Sequence, residues 1–265
     1  MMKLGIKGMK PNCGIVVPTL GLRDDYLILS LRSIRTAGDV HICIVCPEST
    51  DLSRYASEGL FDQRVNDPGT GLATAIHLGL LSLPTDIPYA NWLGDDDLLR
   101  PGTLVRTSKY LDENSDVAMV FGSCDYIDHD GEIIWRNRSG QWAVPLLRFG
   151  PCLIPQPGAL MRLQSYKEIG GLDASYKWAF DFDLFIRLSQ IGKLRFMSET
   201  LSAFRWHDGS LSVGGRDGSV REASRARQSH LPLFLKPVSP LWEILVRIAT
   251  KYAAVIPQYR AKRLN

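Results

Sequence analysis

Apolar positions in the first half of the chain follow two alternating rhythms. Residues 14–19, Gly-Ile-Val-Val-Pro-Thr, read as a short buried strand that ends at proline. Residues 25–37 then place Tyr26, Leu27, Leu29, Leu31 and Ile34 at helical spacing. Residues 40–46 form a second β-branched run. Ser49, Thr50 and Asp51 offer caps to a helix through Tyr55 and Leu60. Residues 64–66 predict a third strand. Gly69-Thr70-Gly71 opens a helix over 72–83, and 89–93 is the next strand. A helix over 103–111 and a strand over 117–121 follow. Strands alternating with helices predict an α/β chain whose parallel sheet is covered on both faces.

The strand over 89–93 runs into Gly94 and then three consecutive carboxylates, Asp95, Asp96 and Asp97. An ionised carboxylate in a dry interior costs several kcal/mol, so the strand must stop near Leu93. The acids then lie at its carboxyl end, the edge where ligands bind in open α/β sheets. Two readings fit the triplet. It is a binding turn for a hard divalent cation, which oxygen ligands suit. Or it is a solvated acidic loop that caps the helix starting near Pro101. The Gly69-Thr70-Gly71 turn lacks the full phosphate-loop pattern and is by itself a tight helix entry.

At 265 residues, 45% hydrophobic and 22% charged, the composition is that of a globular protein. The net charge of +3 is unevenly placed. Lys236, Arg247, Lys251, Arg260, Lys262 and Arg263 face only Glu243 in the last thirty residues, and the rest is close to neutral. That balance argues against nucleic-acid binding and directs attention to a basic tail. In the tail, Leu241, Ile244, Leu245, Ile248, Tyr252 and Val255 share one helical face, while Glu243, Arg247, Thr250 and Ala254 lie on the other. The segment over 238–263 is expected either to lie on a membrane surface or to pack on the domain or on a second copy, as in a homodimer. No run of about twenty apolar residues is long enough to span a bilayer. The opening Met-Met-Lys-Leu-Gly lacks a signal-peptide core. With five scattered cysteines, an odd number, the expectation is a reduced, cytoplasmic protein, peripheral on the inner membrane face if the tail binds lipid. Cys43 and Cys46 form a C-x-x-C on a strand, where odd spacing sends the thiols to opposite faces.

Further motifs lie in the second half: Gln156-Pro157, Gly170-Gly171-Leu172-Asp173, Asp181-Phe182-Asp183-Leu184 with Arg187-Leu188, and Arg205-Trp206-His207. They follow Pro18-Thr19, the run Gly71, Ala75, Gly79, Leu80, and the Asp cluster with its downstream Pro101-Gly102. In this order the chain resembles family 2 glycosyltransferases of the GT-A fold, especially bacterial polysaccharide and rhamnosyl-type transferases. The resemblance covers roughly residues 12–212 and implies a GT-A, Rossmann-like, mostly parallel sheet with a C-terminal helical extension. It divides the chain into a transferase domain over 1–230 and a tail over 231–265. Within that domain, the nucleotide-sugar half spans 12–125 and the acceptor half 126–212.

The resemblance implies inverting transfer of a sugar from a nucleotide-sugar donor to a glycan or lipid-linked acceptor, in surface polysaccharide synthesis. It implies a divalent metal, Mn²⁺ or Mg²⁺, held by Asp96 and Asp97 with His207 beside them. Asp181 aligns with the general base that an acceptor hydroxyl needs; it can also cap the helix that follows. Asp183 is read as a first-turn acid partnered by Arg187. Pro18, Thr19, Gly71, Asp95 and Arg205 are expected at the donor. The acid that reads the nucleotide base in relatives is missing at Cys46 and Pro47, so Glu48 or Asp67 is expected to substitute. His77 stands where relatives carry asparagine. Trp178 and Phe180, with Trp206, line the acceptor side or pack the core. Residues 208–228, rich in Gly, Ser and Arg, are expected to form a mobile loop, either a lid or a linker. Two other readings stay open: a sugar nucleotidyltransferase, and a non-catalytic nucleotide-sugar or glycan-binding module on the same fold.

Overall fold

The computed structural model describes residues 11–137, 140–206, 216–248 and 250. The chain opens with β1 (Cys13–Pro18), α1 (Asp24–Ala37), β2 (Val40–Cys46), α2 (Ser53–Ser57) and β3 (Gln63–Asn66). Next come α3 (Leu72–Ser82), β4 (Tyr89–Trp92), β5 (Leu98–Leu99), α4 (Thr103–Glu113), β6 (Val117–Ile127) and β7 (Ile133–Asn137). The second half adds α5 (Gly140–Leu146), β8 (Leu160–Arg162), α6 (Leu163–Glu168), α7 (Phe180–Ile191), β9 (Lys193–Arg205) and α8 (Arg216–His230). A 3₁₀ turn (Leu233–Val238) leads into a last helix, α9, over 240–248.

One sheet runs through these elements in the order β3-β2-β1-β4-β8-β6-β9-β5, with β7 paired to β6. The strands β3, β2, β1 and β4 are parallel, as their alternation with helices predicts. Parallel pairing continues between β6 and β9. Short antiparallel strands are inserted: β8 between β4 and β6, and β5 on the edge of β9. The sheet is covered on both faces. Cys13, Ile15 and Val17 of β1 join Leu27, Leu31 and Ile34 of α1 in one apolar cluster. Val16, of opposite parity, joins Ile76 and Leu80 of α3 in the other. The same parity puts Cys43 in one cluster and Cys46 in the other, and all five cysteines are free.

Helix α3 lies so close to the sheet that one residue must be glycine. A Cβ at Gly79 would sit 2.5 Å from Val16 Cγ1 and 2.7 Å from Val45 Cγ2. That approach brings the amino end of α3, at Gly71, to the carboxyl edge of the strands.

Residues 216–228 are helical rather than the loop that their Gly and Ser content predicts. Side-chain anchors outweigh the weak propensity. The Glu222 carboxylate accepts the backbone N–H groups of Lys177, Trp178 and Ala179 at 3.0, 2.7 and 3.1 Å, at the entry to α7. Burial pushes this carboxyl up, but the three donors outweigh it and hold it below its ordinary value. Residues 208–215 of the expected loop lie outside the described residues.

Helix α9 docks on α8 through its charged side. Arg227 donates to both oxygens of Glu243 at 2.8 and 2.7 Å, and Ser224 donates to the same carboxylate at 2.7 Å. Arg227 and Glu243 are 2% and 3% exposed. Glu243, on the polar face of the predicted helix, is thus the buried contact. No helix among the described residues is long and apolar enough to cross a membrane.

Replacing Gly79 with valine forces branched carbons into space already held by Val16 and Val45. We expect a loss of about 2 kcal/mol in urea unfolding, with the m-value unchanged. A change smaller than about 0.5 kcal/mol would show that the contact between α3 and the sheet relaxes freely.

Candidate active site

The acidic turn follows β4 directly. Leu93 still donates its N–H to Val16 O at 2.9 Å, and the chain leaves the sheet at Gly94. The turn is then clamped from three sides. Thr19, just past β1, donates its hydroxyl to Asp95 Oδ2 at 2.6 Å. Arg23 reaches over from the same loop and donates to Asp95 Oδ1 at 2.6 Å and Asp96 Oδ2 at 2.7 Å. The backbone N–H of Arg205, at the end of β9, donates to Asp97 Oδ1 at 3.0 Å. Beyond the acids, Leu98 and Leu99 pair with Ala203 and Ser202 of β9. The turn is therefore fixed between strands of both halves of the chain.

Asp97 is buried, 5% exposed against 4% for Asp95, and its carboxylate accepts the Arg205 N–H. Burial, and then the charge of Asp96 beside it, push its carboxyl well above the ordinary 3.8. A cation placed among these oxygens reverses both effects, because it favours the ionised form.

A cavity of about 970 Å³ opens in front of this turn. Pro18, Thr19, Arg23, Asp95, Asp96 and Asp97 line it from the strand edge, and Asp67, Gly69, Gly71 and Ala75 from the entry of α3. From the second half come Gln156, Trp178, Phe180, Asp181, Phe204, Trp206 and Ser219. Gln156 is held in place by a buried amide pair. It donates to Asn91 Oδ1 at 3.1 Å and to Trp92 O at 2.8 Å, while Asn91 donates back to Gln156 O at 3.2 Å. Phe180 packs against Trp92, with ring centroids 6.2 Å apart. Tyr126, Phe204 and Trp206 form a second aromatic group on the same cavity, with centroid separations of 5.5 to 6.4 Å.

Asp181 sits in the first turn of α7, second in the helix rather than before it. Its carboxylate accepts the Phe182 N–H at 2.7 Å. Burial against the aromatic wall pushes its carboxyl from 3.8 up to about 6. It is a carboxyl on the cavity that changes charge close to neutral pH. Asp183 points elsewhere, into the core. It is 3% exposed and binds Arg187 at 2.7 Å, the expected partner, and His230 Nε2 at 2.9 Å.

The other expected site residues are placed as follows. Asp67 is on the cavity, where its carboxylate accepts the Gly69 N–H at 2.9 Å. Glu48 is exposed and does not line the cavity; its backbone carbonyl accepts from Arg64 at 2.7 Å. Arg205 does not face the cavity either. It is 2% exposed, lies 4.4 Å over the Tyr26 ring, and donates to the carbonyls of Asp96, Asp128 and His129 at 2.8 to 3.1 Å. Its guanidinium braces the acidic turn, because three backbone carbonyls converge on it, of which that of Asp128 also accepts the Gly131 N–H at 3.2 Å. His77, partly buried, bonds Tyr166 Oη at 2.7 Å, and burial lowers its pKa. His207 lies outside the described residues. Arg23 was not foreseen. Its only signal is position: it follows β1 at the same sheet edge as the acids, and the sheet order brings the two loops together.

The acidic turn fits a hard cation by its donor chemistry. A methyl group at Gly94 would lie 2.8 Å from Asp96 Oδ1 and 3.1 Å from Asp97 Oδ2, so two carboxylate oxygens converge on one point above a residue without a side chain. Among the described residues no cluster of three or more acidic, histidine or cysteine side chains forms a full cage. Two carboxylates completed by phosphate oxygens and water is an arrangement that Mg²⁺ and similar ions accept.

No family model matches the chain. Among curated proteins it is 25% identical, over 146 residues, to an uncharacterised glycosyltransferase of Rickettsia typhi. The match spans 52% of this chain and 45% of that protein, so the chain corresponds to under half of the relative's length. Among solved structures it is similar to S. aureus TarS in complex with UDP-GlcNAc, with a TM-score of 0.64 at 13% identity, over 85% of this chain and 69% of that one. It is also similar to the mannosyltransferase PcManGT of Pyrobaculum calidifontis in complex with GDP-Man and Mn²⁺, with a TM-score of 0.62 at 14% identity, over 93% of this chain and 76% of that one. At these identities the likeness establishes the fold: the chain has the mixed α/β architecture of these glycosyltransferases.

Proposed function

We propose that the chain is a glycosyltransferase that moves a sugar from a nucleoside-diphosphate donor to a hydroxyl of a glycan or lipid-linked acceptor, with inversion. The observation that carries the reading is the shared cavity. A carboxyl with a pKa of about 6, Asp181, and a turn of three carboxylates line one space large enough for a nucleotide sugar. The weak match to a glycosyltransferase sequence and the fold likeness to two sugar-nucleotide complexes agree with it.

In this reading the donor enters between the β1 loop and the α3 entry. Asp67, Thr19 and Pro18 lie on the side where the nucleoside binds, and the diphosphate meets the acidic turn. Asp96 and Asp97 would hold a divalent cation, Mn²⁺ or Mg²⁺. When bound, that ion neutralises the charge that develops on the departing diphosphate. Arg23 already offers two N–H donors at the turn and is positioned to share this charge. On the opposite wall Asp181 takes the proton of the acceptor hydroxyl as it attacks. A base with a pKa near 6 is ionised at neutral pH and still basic enough to accept that proton. Phe180, Trp178 and Trp206 present ring faces that exclude water and orient the sugars.

Nucleoside diphosphate release from a panel of nucleotide sugars, with Mn²⁺ or Mg²⁺ and candidate acceptors, tests the reading. One donor should be consumed, and Asp96→Asn or chelation should abolish its use. Asp181→Asn should lower kcat by a factor of roughly 10² to 10⁴, with substrate affinity retained. In the unaltered protein kcat should rise with pH through an inflection near 6 and then level. Pyrophosphate as product would instead indicate a nucleotidyltransferase, and donor binding without turnover under any acceptor a binding module.

Asp181 also sets a stability test. Its folded pKa is raised, so between pH 3.8 and about 6 the folded chain holds more protons than the unfolded chain. Stability therefore falls as pH rises through that window. Asp181→Asn should raise Tm at pH 8 and leave it nearly unchanged at pH 4. The gain is about 1–2 kcal/mol once partial exposure of the carboxyl is allowed for. Equal shifts at both pH values would contradict the buried carboxyl.

A further inference from the structure

The tail helix presents the wrong face to the body for a helix that packs by its apolar stripe. Leu241, Ile244, Leu245 and Ile248 recur at helical spacing and are 76%, 63%, 66% and 47% exposed. In the preceding 3₁₀ turn Leu233 and Phe234 are 81% and 78% exposed. The contact with the body is made by the other side: Glu243 is buried in its bidentate pair with Arg227, and the Trp242 ring meets Phe149 edge-on at 6.2 Å. Six large apolar side chains facing outward within sixteen residues is not what a chain that ends its contacts here would show.

Charge decides what covers them. Between residues 231 and 265 the cations are Lys236, Arg247, Lys251, Arg260, Lys262 and Arg263, and the single anion is Glu243. Because Arg227 neutralises Glu243 internally, the segment carries net positive charge beside the outward apolar side chains. Lys236 and Arg247 are both exposed, and Arg247 also donates to Ser224 Oγ of α8 at 3.3 Å. A second copy of the same face would bring the same cations into contact and be repelled. An anionic bilayer complements both properties, since lipid phosphates attract the cations and the acyl boundary accepts the leucines.

We propose that the 233–248 segment is a docking surface for an anionic lipid bilayer, which it meets in the interface plane without crossing. The Arg227–Glu243 pair is the device that makes this possible. It anchors the helix by its polar side to α8, whose Glu222 in turn holds the entry to α7, and so leaves the apolar stripe to the lipid. The surface is tied through one helix to the wall of the cavity that carries Asp181.

The full chain is tested by flotation with vesicles of phosphatidylcholine alone and of phosphatidylcholine with phosphatidylglycerol. It should float with the anionic vesicles, not with the neutral ones, and be released by raised salt. The double variant Leu241→Ser, Leu245→Ser changes only exposed side chains, so it should fold with an unchanged circular dichroism spectrum. It should lose vesicle binding by about tenfold or more. Arg247→Glu should weaken binding to anionic vesicles more at low salt than at high salt. Three results would overturn the proposal: no flotation with anionic vesicles, flotation of the double variant equal to that of the unaltered chain, or a dimer in solution that the double variant converts to monomer. The last would assign the face to a second copy.

Discussion

Everything at the carboxyl edge of the sheet depends on how three adjacent carboxylates are kept on one turn. Two unit charges 4 Å apart near a protein surface repel by about 4 kcal/mol, and here there are three in sequence. The chain surrounds them with donors from distant segments. These are the Thr19 hydroxyl, the Arg23 guanidinium and the Arg205 backbone N–H, while the Arg205 side chain fixes the Asp96 carbonyl from below. Burial, and then the neighbouring charge of Asp96, still push the Asp97 carboxyl well above its ordinary range. In the proposed function a cation relieves this turn, whose Asp96 and Asp97 oxygens converge above Gly94.

The same turn joins the halves of the molecule. β4 carries it from the parallel half, β5 and β9 grip it from the other, and the amide pair of Asn91 and Gln156 ties the 151–159 loop to the end of β4. The loop before α7 is pinned by the three N–H bonds to Glu222. Asp181 follows this pinned loop directly and lines the same cavity as the acids.

Much of the first half was legible because its strands are short β-branched runs and its helices have a clear apolar stripe. The end of β4 was set by electrostatics alone: no buried strand carries three acids. The second half was less legible. β8 has three residues, β9 breaks the period-2 pattern with a half-exposed run over 195–200 followed by three consecutive buried residues, Leu201, Ser202 and Ala203, and its register with β6 shifts at Gly122 and Ser123. The helix α8 was hidden because Gly218 and the serines weaken its propensity, while its anchors, Glu222 and Arg227, bind partners far away in sequence. Arg205 was misplaced and Arg23 missed for the same reason. Motif order puts Arg205 beside His207, but three carbonyls take its donors. Arg23 belongs to no motif, yet the order of β1 and β4 in the sheet sets it on the acids. The tail shows the limit of periodicity: its stripe was readable, but which side faces inward was decided by one buried ion pair.

The central claim is that the acidic turn binds a nucleoside diphosphate together with a cation. Calorimetric titration of nucleoside diphosphates, with and without Mn²⁺, tests it without needing an acceptor. The account predicts that the cation tightens binding of one nucleotide by at least about tenfold, and that Asp96→Asn removes this gain while leaving the fold intact. Equal binding with and without the cation, in both proteins, would contradict it.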